Sequence, residues 1–158
     1  MTGRTDTASR IITAAPATIY RAFIDPKALI EWLPPEGMSG RIETFEAKAG
    51  GRYRMVLTYE DPAPSIHGKA SENTDIIEGR FVEFVPDECV VQIVTFESDD
   101  PAFSGDMKMT WSVKPVDGGT EVSLICENVP AGIRAEDHAE GLSSTLDNLA
   151  AFVCKSAL

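Results

Sequence analysis

The chain is poor in the residues from which several common kinds of site are built. It has 3 cysteines, Cys89, Cys126 and Cys154, in 158 residues. An odd number at wide, unrelated spacings excludes a disulfide framework. It predicts core-packed, inert thiols in a reducing, cytoplasmic setting. Histidine is scarcer still, at 2 residues, and neither H-E-x-x-H nor C-x-x-C occurs. Three or four converging ligands are therefore not expected, and no metal or other cofactor is implied. Cations are also short, with Lys+Arg 14 against Asp+Glu 25 and a net charge of −11. That balance argues against nucleic acid and against anionic membrane, both of which bind through clustered Lys and Arg. No stretch approaches the roughly 18 apolar residues of a membrane helix. Met1 to Arg10 is polar and lacks the apolar core of a signal peptide. Membrane insertion is not expected.

What is present reads as one domain over residues 1–158, within the common size range and long enough to bury a sizeable core. Ser9 to Thr13 reads as a short first strand. Ala15-Pro16 opens a helix carrying Ile19, Tyr20, Phe23 and Ile24 at helical spacing. Asp25-Pro26 ends it and caps a second helix, which Pro34-Pro35 stops. Strands follow. Gly40 to Ala47 is one. Arg52 to Tyr59 alternates, with Tyr53, Met55, Leu57 and Tyr59 on one face and Arg52, Arg54 and Thr58 on the other.

Thr74 to Val85 shifts parity: Ile77 and Phe81 share one face, Val82 and Phe84 the other, which predicts a bulge or bend near Gly79. Cys89 to Glu97 is apolar on both faces. Met107, Met109, Trp111 and Val113 alternate with polar residues, Asp117-Gly118-Gly119 marks a hairpin, and Val122, Leu124 and Cys126 return inward. Ala135 to Lys155 is a long amphipathic helix with the stripe Leu142, Leu146, Leu149 and Val153. Strands segregated from helices mean α+β: a strongly curved antiparallel sheet of about seven strands with two short helices and a long closing one.

Three segments carry a family resemblance. Asp25 to Gly37 (DPKALIEWLPPEG) is similar to a D-P-x-x-L-x-x-W-x-P-P segment, Ala49 to Met55 (AGGRYRM) to G-G-x-[YFW]-x-x-M, and Gly79 to Pro86 (GRFVEFVP) to G-x-[IV]-x-E-[LIF]-x-P. In this order they resemble the family of homologues of the activator of the 90-kDa heat-shock protein ATPase. The resemblance implies the helix-grip fold of the START-like, or SRPBCC, superfamily, with a cavity between sheet and long helix. Superfamily members bind lipids, sterols, hormones or polyketides, and a few are cyclases. The family's eukaryotic co-chaperone carries a preceding domain. Here only about ten residues precede the first predicted strand, which counts against chaperone stimulation.

The leading reading is binding of a hydrophobic or amphipathic small molecule in a hydrophobic cavity between the sheet and the C-terminal helix. Met and aromatic side chains suit an adaptable apolar wall. The candidate wall and rim residues are Trp32, Tyr53, Met55, Tyr59, His67, Phe81, Met109, Trp111, His138, Leu142 and Thr145. A second reading is a cyclase, dehydratase or hydrolase with His67 or His138 as acid–base and Tyr59 as donor. No catalytic residue is assigned, because His67 also reads as a surface loop histidine and His138 as one on the helix surface or hydrogen-bonded to a nearby loop. A third is an interaction domain contacting a chaperone or forming a homodimer, with Pro34 to Met38 and Asp100 to Phe103 as the apolar segments to inspect.

Overall fold

The computed structural model describes residues 4–34, 38–59, 74–96, 101 and 105–156, without the side chains of residues 38, 59, 74, 75, 155 and 156. The elements are β1 (Arg4–Ile12), α1 (Pro16–Ile24), α2 (Pro26–Trp32), β2 (Met38–Phe45), β3 (Arg52–Tyr59), β4 (Thr74–Val85), β5 (Cys89–Phe96), β6 (Met107–Val116), β7 (Gly119–Val129) and α3 (Ala135–Ser156). The strands form one antiparallel sheet in the order β1-β7-β6-β5-β4-β3-β2. Strands 2 to 7 meander, and the first strand crosses to pair with the last.

The short helices form where local chemistry places them. Pro16 sits in the first turn of α1, where its missing N–H costs no hydrogen bond. Ile19, Tyr20, Ala22 and Phe23 are the buried side of that helix. The Asp25 carboxylate accepts from the Lys27 N–H at 3.0 Å, capping α2, and Pro26 follows it. Leu29 and Trp32 are then buried one turn apart.

Parity decides most of the sheet. Tyr53, Met55 and Leu57 are buried on β3, Met107, Trp111 and Val113 on β6, and Val122, Leu124 and Cys126 on β7. β1 begins at Arg4, five residues before the strand expected from sequence, and its register on β7 runs from Arg4 opposite Val129 to Ile12 opposite Thr120. The bulge expected near Gly79 in β4 lies between Phe81 and Glu83. Val82 is the extra residue and is exposed. Beyond it Phe84 returns to the inner face, opposite the buried Val90, so Phe81 and Phe84 share the core rather than opposite faces.

The long helix lies against β1, α1 and α2. Leu142, Leu146, Leu149, Ala150 and Val153 supply its buried stripe. Thr145 Oγ1 donates to the Leu33 carbonyl at 3.1 Å, and Asn148 Nδ2 donates to the Pro34 carbonyl at 3.0 Å. These bonds satisfy carbonyls at the end of α2 that have no helical partner.

Candidate functional site

The helices α1 and α2 cover the middle and far strands of the sheet. Trp32 is fully buried and its indole N–H donates to the Ala22 carbonyl at 3.0 Å, which locks the ring between the two helices. Its ring centroid lies 5.4 Å from that of Trp111, nearly perpendicular, and 6.0 Å from that of Phe23. A second aromatic group centres on Phe81, whose ring lies 5.4 Å from Phe45, 5.2 Å from Tyr53 and 4.8 Å from Phe84. Edge and tilted contacts of this kind are favoured by the ring quadrupoles.

Members of both groups line an apolar cavity of about 30 Å³. α1 and α2 contribute Phe23, Leu29 and Trp32, and Leu33 follows at the C-cap of α2. The sheet contributes Ile42 and Phe45 from β2, Tyr53 and Met55 from β3, Phe81, then Val90 and Gln92 from β5, and Trp111. Leu33, Ile42 and Phe45 are half-buried while Val90, Gln92 and Trp111 are buried. The cavity therefore opens between α2 and β2 and ends against β5 and β6. Its volume is room for about two water-sized molecules, far below the roughly 300–1,000 Å³ of a ligand pocket.

No described residue on the wall carries a charge; its polar groups are the Tyr53 hydroxyl, the Gln92 amide and the indole N–H groups of Trp32 and Trp111, of which that of Trp32 is already bonded to the Ala22 carbonyl. Tyr53 stands opposite Gly79 in the β3–β4 ladder, and its ring lies where a side chain at 79 would be; a Cβ there would overlap it. Gly79 thus serves ring placement, a use for glycine in a strand where another group approaches closely. Burial pushes the Tyr53 phenol up, so it stays a protonated donor. Gln92 is 9% exposed, and its Nε2 reaches the Met109 sulfur at 3.9 Å, a weak acceptor.

Of the residues singled out from sequence, Trp32, Tyr53, Met55, Phe81 and Trp111 come together on this wall. Met109 touches it only through Gln92. His138, Leu142 and Thr145 do not line it, and no α3 residue does. The cavity thus lies beneath α1 and α2, not between the sheet and the long helix as expected, because α3 packs over β1 and the helices. His67 and the Tyr59 side chain lie outside the described residues. Gln92 was missed, although a lone amide in an otherwise apolar strand is a readable signal.

His138 belongs to a different cluster. Its Nδ1 is 2.6 Å from Asp6 Oδ2, and Arg4 holds the same carboxylate through both Nε, at 2.8 Å, and Nη2, at 2.9 Å. Arg4 Nη2 also donates to the Ile133 carbonyl at 2.7 Å. The Arg4 hydrogen bond, followed by that of His138, holds the Asp6 carboxyl below its ordinary range. Cys126 sits opposite Asp6 in the ladder, and burial pushes its thiol up to about 12, which makes it a poor nucleophile. The dyad has no activated nucleophile beside it among these neighbours. It ties the start of β1 to the start of α3.

On the opposite face of the sheet, Arg52, Arg54, Glu78, Arg80 and Thr95 border a polar groove of about 440 Å³, and Tyr53 lines this groove as well as the cavity. Arg54 is paired with Glu43 at 2.8 Å and with Glu78. These are the outward charges expected from parity. No group of three or more potential metal ligands forms among the described residues.

A family model described as Activator of Hsp90 ATPase homolog 1-like protein matches residues 13–153. The chain belongs to that family. The helix-grip fold of the START-like superfamily expected from the motifs is the fold found. A Chromobacterium violaceum protein of known structure is 34% identical over 94% of this chain and 96% of its own, with a TM-score of 0.82. A Rhodobacter sphaeroides protein shares the fold at 20% identity, covering 98% of this chain and 97% of its own, with a TM-score of 0.76. One from Mesorhizobium loti does so at 20% identity, covering 98% of this chain and all of its own, with a TM-score of 0.72. No functionally curated protein matches the chain. No helix among the described residues is long and apolar enough to cross a membrane.

Proposed function

We propose that this Activator of Hsp90 ATPase homolog 1-like domain binds a small hydrophobic or amphipathic molecule in the aromatic cavity beneath α1 and α2. The observation that carries the reading is the wall: buried apolar side chains from α1, α2 and five strands converge on one opening, with no charge on it. Ligand pockets are lined in this way, by apolar and aromatic groups with a few placed polar ones. At about 30 Å³ the site is nearly closed, so binding requires the half-buried Leu33, Ile42 and Phe45 at its mouth to move aside.

The other readings draw less support. His138 is engaged by Asp6 away from the cavity, so an acid–base role there lacks its group. Among described residues the exposed large hydrophobics are Ile11, Ile30 and Val82, on three different elements, which gives an apolar face for a chaperone or a second copy no support there; of the segments expected to form one, all but Pro34 and Pro101 and the backbone of Met38 lie outside the described residues. Three free cysteines fit a reducing, cytoplasmic setting, although the core packing expected of them holds for Cys126 only: Cys89 is half-buried and Cys154 is exposed on α3.

The chain's 2 tryptophans both line the cavity, which makes them reporters of occupancy. Titration with iodobenzene, whose heavy atom quenches indole emission on contact, is expected to quench saturably with one-site behaviour. Quenching that rises linearly without saturation, as for random collision, sinks the reading.

A further inference from the structure

We infer that the cavity selects ligands bearing a neutral hydrogen-bonding oxygen, such as a ketone, ester or ether, and that Gln92 and Tyr53 recognise it. The inference rests on the small-molecule reading above and names the ligand class. Four observations combine.

First, both side chains are more than nine-tenths buried on the cavity wall, Tyr53 at 8% and Gln92 at 9% exposure. Second, both are under-used. The Tyr53 hydroxyl has no hydrogen-bond partner among the described residues, and Gln92 has only the long contact of its Nε2 with the Met109 sulfur. Yet no fully enclosed side-chain N or O atom lacks a partner among the described residues. The unpartnered atoms of these two groups therefore border accessible space. A buried polar group left unbonded is costly, and elsewhere this protein supplies the bond, as at Thr120 Oγ1, which donates to the Ala14 carbonyl at 2.6 Å.

Third, the two groups are near neighbours. Gln92 is the cross-strand partner of Phe81, and the Tyr53 ring packs on Phe81 from the other side of Gly79. One small ligand can address both. Fourth, the chemistry excludes a charged group. No cation lines the cavity, and Arg52 and Arg54, the neighbours of Tyr53 in sequence, border the groove that Tyr53 also lines, so a carboxylate in the cavity would be desolvated without a partner. Burial keeps the Tyr53 phenol protonated, and the amide offers both N–H and C=O. The site is thus furnished with a hydroxyl and an amide, one able to donate and the other able to donate or accept.

The test compares three probes of similar size: ethylbenzene, acetophenone and benzoate. Binding is read from the indole N–H signals of Trp32 and Trp111 in two-dimensional NMR spectra. In Gln92→Leu and Tyr53→Phe, acetophenone should bind roughly five- to tenfold more weakly, the worth of about one net hydrogen bond, while ethylbenzene stays within about twofold. Benzoate should not bind any of the three proteins measurably. Tyr53→Phe keeps the ring on Gly79, so it remains informative if Gln92→Leu repacks β5. If acetophenone and ethylbenzene respond alike to both variants, or benzoate binds better than acetophenone, the inference is overturned while the apolar-site reading stands. If none of the probes binds the parent protein, the apolar-site reading fails and this inference fails with it.

Discussion

At the β1–β7 end of the sheet, polar side chains close on one another. Asp6 is held by Arg4 and His138, Arg4 also reaches the Ile133 carbonyl, and Thr120 bonds the Ala14 carbonyl. At the β2–β5 end, under α1 and α2, the polar groups are just as buried, yet Tyr53 and Gln92 are nearly without partners. The aromatic packing there is dense but leaves an opening. A domain held at one end by satisfied hydrogen bonds can leave its other end incompletely satisfied. Such incompletely bonded buried groups are where binding chemistry is stored, because a ligand gains what the protein has not already used. On the proposed reading the first end is scaffold and the second is site, and variants at each end should separate them.

The largest effect should come from the site end. Gly79→Ala places a Cβ inside the Tyr53 ring, which is packed on Phe81 and cannot retreat freely. Overpacking of this kind costs about 1–3 kcal/mol. Chemical denaturation should show that loss, and the acetophenone affinity should fall with it because the hydroxyl is displaced. Unchanged stability and unchanged binding together would mean that the β3–β4 region is softer than its packing implies.

Much of the fold was legible from sequence, and the reasons are physical. β3, β6 and β7 have one wet face, so Tyr53-Met55-Leu57, Met107-Trp111-Val113 and Val122-Leu124-Cys126 alternate openly. Asp25-Pro26 and Ala15-Pro16 announce the helix starts by their own capping chemistry. The first half of β1 was not legible, since Arg4 to Ala8 is almost wholly polar; pairing with β7 and the Arg4–Asp6–His138 cluster make it a strand. The parity shift in β4 predicts a bulge near Gly79, and it lies three residues on, at Val82; Gly79 itself answers the Tyr53 ring. The site was half legible. Parity puts Tyr53, Met55, Phe81 and Trp111 inward, but it cannot say which strands α3 covers. That depends on the crossover of β1 to β7, a long-range choice with no local signature. Gln92 was overlooked because a strand apolar on both faces draws attention to its hydrophobicity rather than to its one amide.

At the scaffold end, Asp6→Asn should cost about 1 kcal/mol, near the net worth of one hydrogen bond, since the amide can still accept and the partly exposed Arg4 is screened by solvent. Its pH signature is more diagnostic. The carboxyl is held below its ordinary value of 3.8, so it stabilises the fold fully above that pH, and the stabilisation is lost as pH falls through the lower folded value. The parent protein should therefore lose stability on acidification in that range, and Asp6→Asn should lose less. Probe binding at the other end should not change. If Asp6→Asn alters acetophenone affinity, the two ends are coupled and the division into scaffold and site fails.

The smallest effect is expected at the surface of the same end. Arg10 on β1 pairs with Asp147 on α3, and both side chains are largely exposed. The pair spans the same two elements as the Asp6–His138 contact, so geometry alone would rank them equally. Solvent separates them: exposed ion pairs contribute at most about 1 kcal/mol and are weakened further by salt. Arg10→Gln should change the denaturation midpoint by less than Asp6→Asn does, and raising salt should remove even that difference. A loss from Arg10→Gln that equals the Asp6→Asn loss and persists at high salt would show that the β1–α3 seam depends on charge pairing as such. It would then be wrong to credit its strength to partners shielded from water, and the same correction would apply to the value placed on the unbonded Tyr53 and Gln92.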